Sequence, residues 1–156
     1  MIKTNAMRLL DKEKINYKEY TLDIVEALDG VTSADMLGID KNKVFKTLVT
    51  ISKSRNYYVF VVPVEEKLDL KKAAKVVGEK SVDMLPMKDL LAVTGYVHGG
   101  CSPIGMKKNF KTVFDTHALN YEKIVFSGGK IGHFIEINVE DIKKAIIVEF
   151  DDIVED

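Results

Sequence analysis

A lysine within an apolar run is the residue of this chain best suited to chemistry. Lys46 lies in residues 44–49 (VFKTLV), and on a β-strand both faces of this run are largely apolar. A buried ammonium is costly unless it is paired or meets a ligand. The pattern predicts that Lys46 faces an anionic or carbonyl-bearing ligand. The alternative is an edge-strand lysine that discourages aggregation.

Two glycine-dense segments follow Lys46. Residues 95–105 (GYVHGGCSPIG) hold four glycines, and residues 127–132 (SGGKIG) repeat the theme. Glycine permits φ > 0, and consecutive backbone N–H groups can bind a phosphate or a developing oxyanion. The first segment is not a P-loop, because no Gly-Lys-Ser/Thr sequence closes it. Both segments are therefore either ligand loops or plain tight turns. Ser127 could bond a ribose or amino group, but no base that would make it a nucleophile is evident.

The histidines and the cysteine indicate no metal site. His98, His117 and His133 have no metal-binding spacing with one another or with Cys101. Cys101 follows no helix N-terminus motif and has no evident activating partner. We therefore expect structural or incidental roles for these residues, with no metal ion and no cofactor.

Lysines cluster at two places in the chain. One group directly follows the first glycine-dense segment and could bind phosphates beside a pocket. The alternative for both groups is a solvated charged face. The groups are Lys71, Lys72 and Lys75, and Lys107, Lys108 and Lys111.

Bulk properties narrow the class of protein. The chain has 156 residues, 46% hydrophobic and 30% charged, which fits a single domain over 1–156. The net charge of −1 provides no general attraction for long nucleic acid, so DNA is not expected as a partner. One cysteine excludes an internal disulfide and favours a reducing compartment. Residues 1–5 show no signal peptide and no apolar run reaches membrane-spanning length, so we expect a cytoplasmic protein.

Periodicity predicts many short strands with interspersed short helices. Expected strands cover 17–22, 44–52, 57–64, 81–85, 112–114, 123–126, 133–137 and 146–150, with a hairpin turn at 54–56. Expected helices begin after a Thr4 or Asn5 cap, after a Thr32 or Ser33 cap with Gly38 at the end, and near residues 70, 86 and 139. The acidic residues 151–156 are expected to fray. Because no strict βαβ rhythm appears, we predict an α/β (α+β) fold with a mixed, mainly antiparallel, barrel-like sheet and peripheral helices.

Together these motifs resemble the YbaK/EbsC family, the free-standing relatives of the editing insertion domain of bacterial prolyl-tRNA synthetases. The matching segments, in the same order and with fitting spacing, span nearly the whole chain. They are residues 44–48 (VFKTL), 68–75 (LDLKKAAK), 94–96 (TGY), 99–108 (GGCSPIGMKK) and 127–130 (SGGK). The resemblance is strongest to members that act on Cys-tRNA(Pro).

The resemblance implies a YbaK/prolyl-tRNA synthetase associated domain fold and an aminoacyl-tRNA deacylase that acts in trans. Its pocket would hold the aminoacyl-adenosine end of tRNA, and prolyl-tRNA synthetase is a further implied partner. In such a deacylase the substrate's own thiol is thought to attack the ester, which fits the lack of a nucleophile–base pair here. Lys46 matches the family's key polar residue. The implied substrate-binding positions are Tyr20, Thr47, Gly99, Gly100, Ser127 and Gly128.

Three positions depart from the family pattern. Cys101 replaces an Ile-like residue, Phe134 falls where some members carry Asp, and an aromatic position falls near Leu22, with Tyr20 two residues earlier. All three touch the pocket. The alternatives are therefore a deacylase for Ala-tRNA(Pro) or another small mischarged amino acid, and a non-catalytic module that binds a nucleotide or a synthetase.

Overall fold

The computed structural model describes residues 3–156; Met1 and Ile2, the start of the segment searched for a targeting signal, lie outside them. The strands are β1 (Tyr17–Thr21), β2 (Phe45–Ser52), β3 (Tyr57–Pro63), β4 (Val82–Met84), β5 (Lys111–Asp115), β6 (Lys123–Lys130), β7 (His133–Asn138) and β8 (Val148–Asp151). The α-helices are α1 (Asn5–Lys12), α2 (Gly30–Leu37), α3 (Leu70–Val76), α4 (Leu90–Thr94) and α5 (Val139–Ala145). Across residues 3–156, no helix has the length and apolarity needed to cross a membrane.

Among residues 3–156 the strands form two sheets, which are joined by backbone pairing at one bridge. The smaller sheet has the order β1-β7-β6 and is antiparallel throughout. The larger has the order β4-β2-β3-β5-β8, with antiparallel pairs β4-β2 and β2-β3 and parallel pairs β3-β5 and β5-β8. A single parallel bridge between Val44 and Val125 links them. The predicted mixed, mainly antiparallel α+β architecture is confirmed, although the two sheets do not close into a barrel.

The inner faces of both sheets enclose the main core. Phe45 and Val49 of β2 pack in one buried cluster with Phe126 and Ile135 of the smaller sheet, and Leu10 of α1 joins them. The outer face of the larger sheet is covered by α3, whose alanines pack over Phe60 and Val62 of β3. Since strand side chains alternate, β2 therefore buries residues on both faces, as its apolar sequence predicts.

Short side-chain caps set the helix starts. Thr4 caps α1 as predicted, with its hydroxyl accepting from the Met7 N–H. The expected Thr32 or Ser33 cap of α2 is wrong. The Asp29 carboxylate accepts from the Thr32 N–H at 2.8 Å, so the helix begins three residues earlier. Gly38, with φ of 70°, ends the helix as predicted.

The prediction that the acidic tail frays is also wrong. Ile153 is completely buried under the larger sheet's outer face. Its carbonyl accepts from the Asp69 N–H at 2.8 Å, and the Glu155 N–H donates to the Lys67 carbonyl at 2.9 Å. The tail therefore forms a short strap along residues 67–69. The prediction failed because it rested on the number of acidic residues and not on the apolar Ile153 between them.

Lys72 of α3 neutralises this strap. Its ammonium contacts the carboxylates of Asp152 and Asp156 at 3.0 and 2.9 Å and the Val154 carbonyl at 2.8 Å. These contacts raise the pKa of Lys72 above its ordinary value, with the Asp156 hydrogen bond as the main cause. One lysine of the first basic group is therefore occupied by the chain itself.

We predict that Ile153→Ala lowers the free energy of unfolding by about 2–5 kcal/mol, because it removes a fully buried side chain. Denaturant titration followed by circular dichroism measures this. Glu155→Ala is the control: that side chain is exposed and its backbone bond is retained, so the change should stay within about 0.5 kcal/mol. Equal small effects of both substitutions would mean that the tail is frayed after all.

Candidate active site

The outer face of the smaller sheet carries a row of three side chains. The strand register aligns Tyr20 of β1 with Phe134 of β7, and Phe134 with Ser127 of β6. Directly paired residues of neighbouring strands project to the same face. All three side chains are half-buried. The ammonium of Lys18 lies 4.9 Å from the centre of the Tyr20 ring at the outer end of the row.

The bridge between the sheets brings Lys46 to this row. Val44 and Val125 pair in parallel, and Lys46 and Ser127 follow them by two residues each. Side chains two residues apart share a face, so Lys46 and Ser127 project in the same outward direction. The row therefore runs from Tyr20 through Phe134 and Ser127 toward Lys46.

Lys46 is a half-buried cation on an interior strand. β2 lies between β3 and β4, so Lys46 is not on an edge strand of the larger sheet. Within residues 3–156 its ammonium has neither a hydrogen bond nor an ion pair. Burial lowers the pKa of Lys46 below its ordinary value; the Glu66 carboxylate opposes this shift, and the Lys67 ammonium adds to it. An anionic or carbonyl ligand would relieve this cost.

Two helices flank Lys46 along the outer face. On one side Val44 packs with Val125 and with Ala34 of α2, and Phe134 packs against the same cluster. On the other side Leu48 packs into the cluster covered by α3. Lys46 lies between Val44 and Leu48 on this face, and its side chain stays partly exposed between the two helix-covered patches.

The two glycine-dense segments touch each other. A Cβ at Gly100 would lie 2.9 Å from the Ile131 backbone nitrogen, so only glycine allows this approach. Gly99 has φ of 82°, and a Cβ there would lie 2.2 Å from that of Ala27. The Gly100 N–H already donates to the Val97 carbonyl at 3.0 Å. Close packing of the loops is thus one role of these glycines in the structure, and the Gly100 N–H is not free for a phosphate.

Thr47 and Gly128 lie on the opposite face from Lys46 and Ser127. Gly128 packs against Met7 and Ile135 of the inner core. Thr47 shares the inner face with Phe45 and Val49, and its hydroxyl is buried with no hydrogen-bond partner among the described residues. The structure therefore separates the predicted binding residues into an outer set at Lys46 and an inner pair.

Two neighbours of the site were not singled out as site residues from sequence. Phe134 was noted only as a departure from a family pattern, yet it is the centre of the row. Glu66 is the carboxylate that acts most on Lys46. The predicted hairpin contains a signal that could have drawn attention to Glu66. In this hairpin Lys46 pairs with Val62, and Glu66 follows Val62 by four residues.

The Cys101 thiol is not activated as a nucleophile. The residue is buried, and burial raises the pKa of its thiol to about 12. Ser127 accepts from the Gly129 N–H at 3.1 Å, and no hydrogen bond in residues 3–156 joins a histidine to a serine, threonine or cysteine side chain. The described residues contain no group of three acidic, histidine or cysteine side chains placed to hold a metal ion. The site thus presents a cation and polar groups with no activated protein nucleophile.

Comparison with known proteins identifies the family. The model of the aminoacyl-tRNA editing domain matches residues 26–145, and the chain belongs to this family. It is 49% identical over 141 residues to an Enterococcus faecalis protein with the provisional name Cys-tRNA(Pro)/Cys-tRNA(Cys) deacylase EbsC, covering 90% of this chain and 86% of that one. It is 33% identical over 110 residues to the proline–tRNA ligase of Thermosipho melanesiensis, covering 69% of this chain but 19% of the ligase.

Solved structures support the fold. A crystal structure described provisionally as a trans-editing enzyme for prolyl tRNA synthetase superposes with a TM-score of 0.83 at 20% identity, with both chains covered completely. A hypothetical protein superposes with a TM-score of 0.87 at 20% identity, covering 97% of this chain and 99% of that one. At this identity the likeness establishes the architecture alone.

We predict that Lys46→Met raises the Tm slightly at pH 7, because it removes a half-buried charge that has no partner in the described part of the chain. The folded-state pKa of Lys46 is lowered, so the cost of its charge is fully present below that pKa. That cost disappears as the pH rises through the folded-state pKa to the unfolded value of about 10.4. The Tm advantage of the variant should therefore shrink in alkaline buffer. Lys53→Met, at an exposed lysine, is the control with no pH-dependent difference. A clear loss of Tm in Lys46→Met alone would show that the ammonium is paired.

We also predict that native Cys101 resists alkylation by iodoacetamide at pH 8, because its raised pKa leaves almost no thiolate. Mass spectrometry should find full labelling only after unfolding in guanidinium chloride. Rapid labelling of the native protein would mean that the thiol is exposed and activated.

Proposed function

We propose that this chain hydrolyses mischarged aminoacyl-tRNA in trans, with Cys-tRNA(Pro) as its preferred substrate. The observation that carries the proposal is the half-buried Lys46, without a partner among residues 3–156, at the end of the Tyr20–Phe134–Ser127 row. Membership of the aminoacyl-tRNA editing family and 49% identity to EbsC support the reaction class and the substrate.

Lys46 is the group that binds and orients the aminoacylated end. Its ammonium offers three donors to the ester carbonyl or to ribose and phosphate oxygens. The Ser127 hydroxyl oxygen already accepts from Gly129, which leaves its proton for a substrate acceptor. Phe134 lines the row with apolar surface, which suits a small side chain such as that of cysteine or alanine. Tyr20 closes the far end.

The nucleophile in this proposal belongs to the substrate. The cysteine sulfur attacks its own ester carbonyl, a C–S bond forms, and the C–O bond to the ribose breaks. The thiol proton passes to the departing ribose oxygen, and water later opens the resulting thiolactone. The protein then acts by holding thiol and carbonyl together and by stabilising the developing oxyanion. Such a protein needs no activated side chain. This agrees with the buried Cys101, whose thiol pKa is raised, and with Ser127, whose hydroxyl is hydrogen-bonded to the Gly129 N–H and to no base among the described residues.

Substrate, partner and compartment follow from this assignment. The partner is the aminoacyl-adenosine end of tRNA, and prolyl-tRNA synthetase is the enzyme whose errors the protein would correct. Likeness to part of a proline–tRNA ligase supports that relation. We place the protein in the cytoplasm, where tRNA is charged.

A single-turnover panel tests the proposal. Charged Cys-tRNA(Pro), Ser-tRNA(Pro), Ala-tRNA(Pro) and Cys-tRNA(Cys) are mixed with excess wild-type protein, Lys46→Met or the exposed control Lys53→Met. Cys-tRNA(Pro) should react at least about 100-fold faster than Ser-tRNA(Pro), because a hydroxyl is a far weaker nucleophile than a thiol near neutral pH. Lys46→Met should abolish turnover while the control retains it.

Each contrary result has a distinct meaning. Equal rates with cysteine and serine would exclude the substrate thiol and indicate an activated water. Rapid cleavage of Ala-tRNA(Pro) would establish the alanine alternative. Full activity in folded Lys46→Met would refute the role of Lys46. Binding without turnover of any substrate would indicate a non-catalytic module.

A further inference from the structure

A cavity rimmed by lysines lies outside the Lys46 site. It has a volume of about 500 Å³ and lies between residues 103–112 and the end of α5 with the start of β8. Ligand-sized clefts fall in this volume range. We call it the lysine-rimmed cavity, and its charged and apolar wall is formed by Lys108, Lys111, Lys143, Lys144, Phe110 and Ile147.

The wall of this cavity is positively charged, whereas the chain as a whole is slightly negative. Four lysines and one carboxylate, Glu149, line the cavity, whereas the whole chain has a net charge of −1. Residues 103–114 carry three lysines and no acidic residue. A local positive potential in a concave surface attracts a polyanion.

The lysines remain available to a ligand. Within residues 3–156 the ammonium of Lys108 has no ion-pair partner. The other three lysines each contact one carboxylate: Lys111 contacts Glu149 at 3.7 Å, Lys143 contacts Glu140 at 3.6 Å, and Lys144 contacts the half-buried Asp141 at 2.9 Å. The Lys111 and Lys143 pairs join exposed groups and are worth little, so a phosphate can replace those two carboxylates at small cost. The contrast is Lys72, which three groups of the tail hold in place.

Apolar side chains complete the wall. Ile147, which lines the same cavity as the four lysines, is 91% exposed. Phe110 is half-buried and packs edge-on against Tyr57 with ring centres 5.7 Å apart. Proteins that bind single-stranded nucleic acid combine cations for the phosphates with aromatic side chains for the bases, and Phe110 is the aromatic side chain of this wall.

The cavity is linked along the chain to the first glycine-dense segment. Pro103 lines the cavity, and Gly99 is four residues away at the contact between the two glycine-dense segments. Four residues span at most about 14 Å. The cavity therefore adjoins a segment that the family resemblance assigns to substrate binding, so a tRNA bound to that segment reaches the wall within a few nucleotides.

We propose that the lysine-rimmed cavity binds the phosphate backbone of the tRNA substrate next to its aminoacylated end. The inference rests on the proposed function for the identity of the polyanion. It assigns to the second basic group a positioning role in substrate binding. An anionic membrane surface is the other class of partner that such a wall could meet, and the experiment includes it.

The test compares two matched double variants. Lys108→Gln/Lys143→Gln neutralises two cavity lysines, and Lys53→Gln/Lys80→Gln neutralises two exposed lysines elsewhere. Fluorescence anisotropy measures binding of uncharged tRNA(Pro) at several salt concentrations. The cavity variant should bind about tenfold more weakly, and its slope of log K against log salt should fall by about 1.5 to 2 relative to the wild type. The control should keep the wild-type slope.

Kinetics separate this inference from the proposed function. In the cavity variant KM for charged tRNA should rise about tenfold with kcat unchanged, and hydrolysis of 3′-O-cysteinyl-adenosine, which has no backbone phosphates, should be unaffected. Binding and KM equal to those of the control would overturn the inference. Lysine-dependent sedimentation with phosphatidylserine vesicles, without any effect on tRNA, would overturn it in favour of a membrane. If the wild type cleaves no charged tRNA, the proposed function fails and the anisotropy slopes alone decide the inference.

Discussion

The bridge between Val44 and Val125 is the contact on which the proposed site depends. It is the one residue pair in the described chain where the two sheets join by backbone pairing. Its parallel register puts Lys46 and Ser127 on the same outward face, although they lie in different sheets. Strand side chains alternate between the two faces with a period of two. A shift of one residue at this bridge would therefore turn Lys46 to the inner face, which Thr47 now occupies.

The position of Lys46 reflects a balance between stability and binding. The chain buries side chains on both faces of β2 and accepts among them a half-buried ammonium that has no partner within residues 3–156. The large core formed by the two sheets supplies the stability that tolerates this charge. A cation that is already partly desolvated and lacks an internal partner interacts strongly with a ligand, since fewer water contacts must be given up when the ligand arrives.

The lysines outside the site fall into two physical classes. Lys72 is saturated by carboxylates and a carbonyl of the tail strap, so it contributes to structure. The lysines of the cavity wall have one carboxylate each or none among the described residues, and they share the wall with the exposed Ile147. Clusters that look alike in sequence therefore differ in how many of their lysines remain available to a ligand. The difference depends on which carboxylates the fold brings against each cluster.

The sequence by itself determined the secondary structure and the candidate cation. Local patterns predicted the strands, the hairpin at 54–56, the Thr4 cap and the Gly38 helix end, because these depend on side-chain period and on contacts within a few residues. Lys46 stands out for the same reason, as a charge in an apolar run. Recognition of the family came from the order of several short motifs, each of which is weak alone.

Tertiary structure decided what depends on residues far apart in the chain. The cap of α2 is Asp29, although Thr32 and Ser33 are residues of equally suitable type a few positions later. Ile153 is buried, although the acidic residues around it suggested an exposed tail. Phe134 joined the site through strand register, while Thr47 and Gly128 were assigned to the inner face. These outcomes follow from which strands pair and in which register, and pairing is set by long-range burial of side chains that no local pattern encodes.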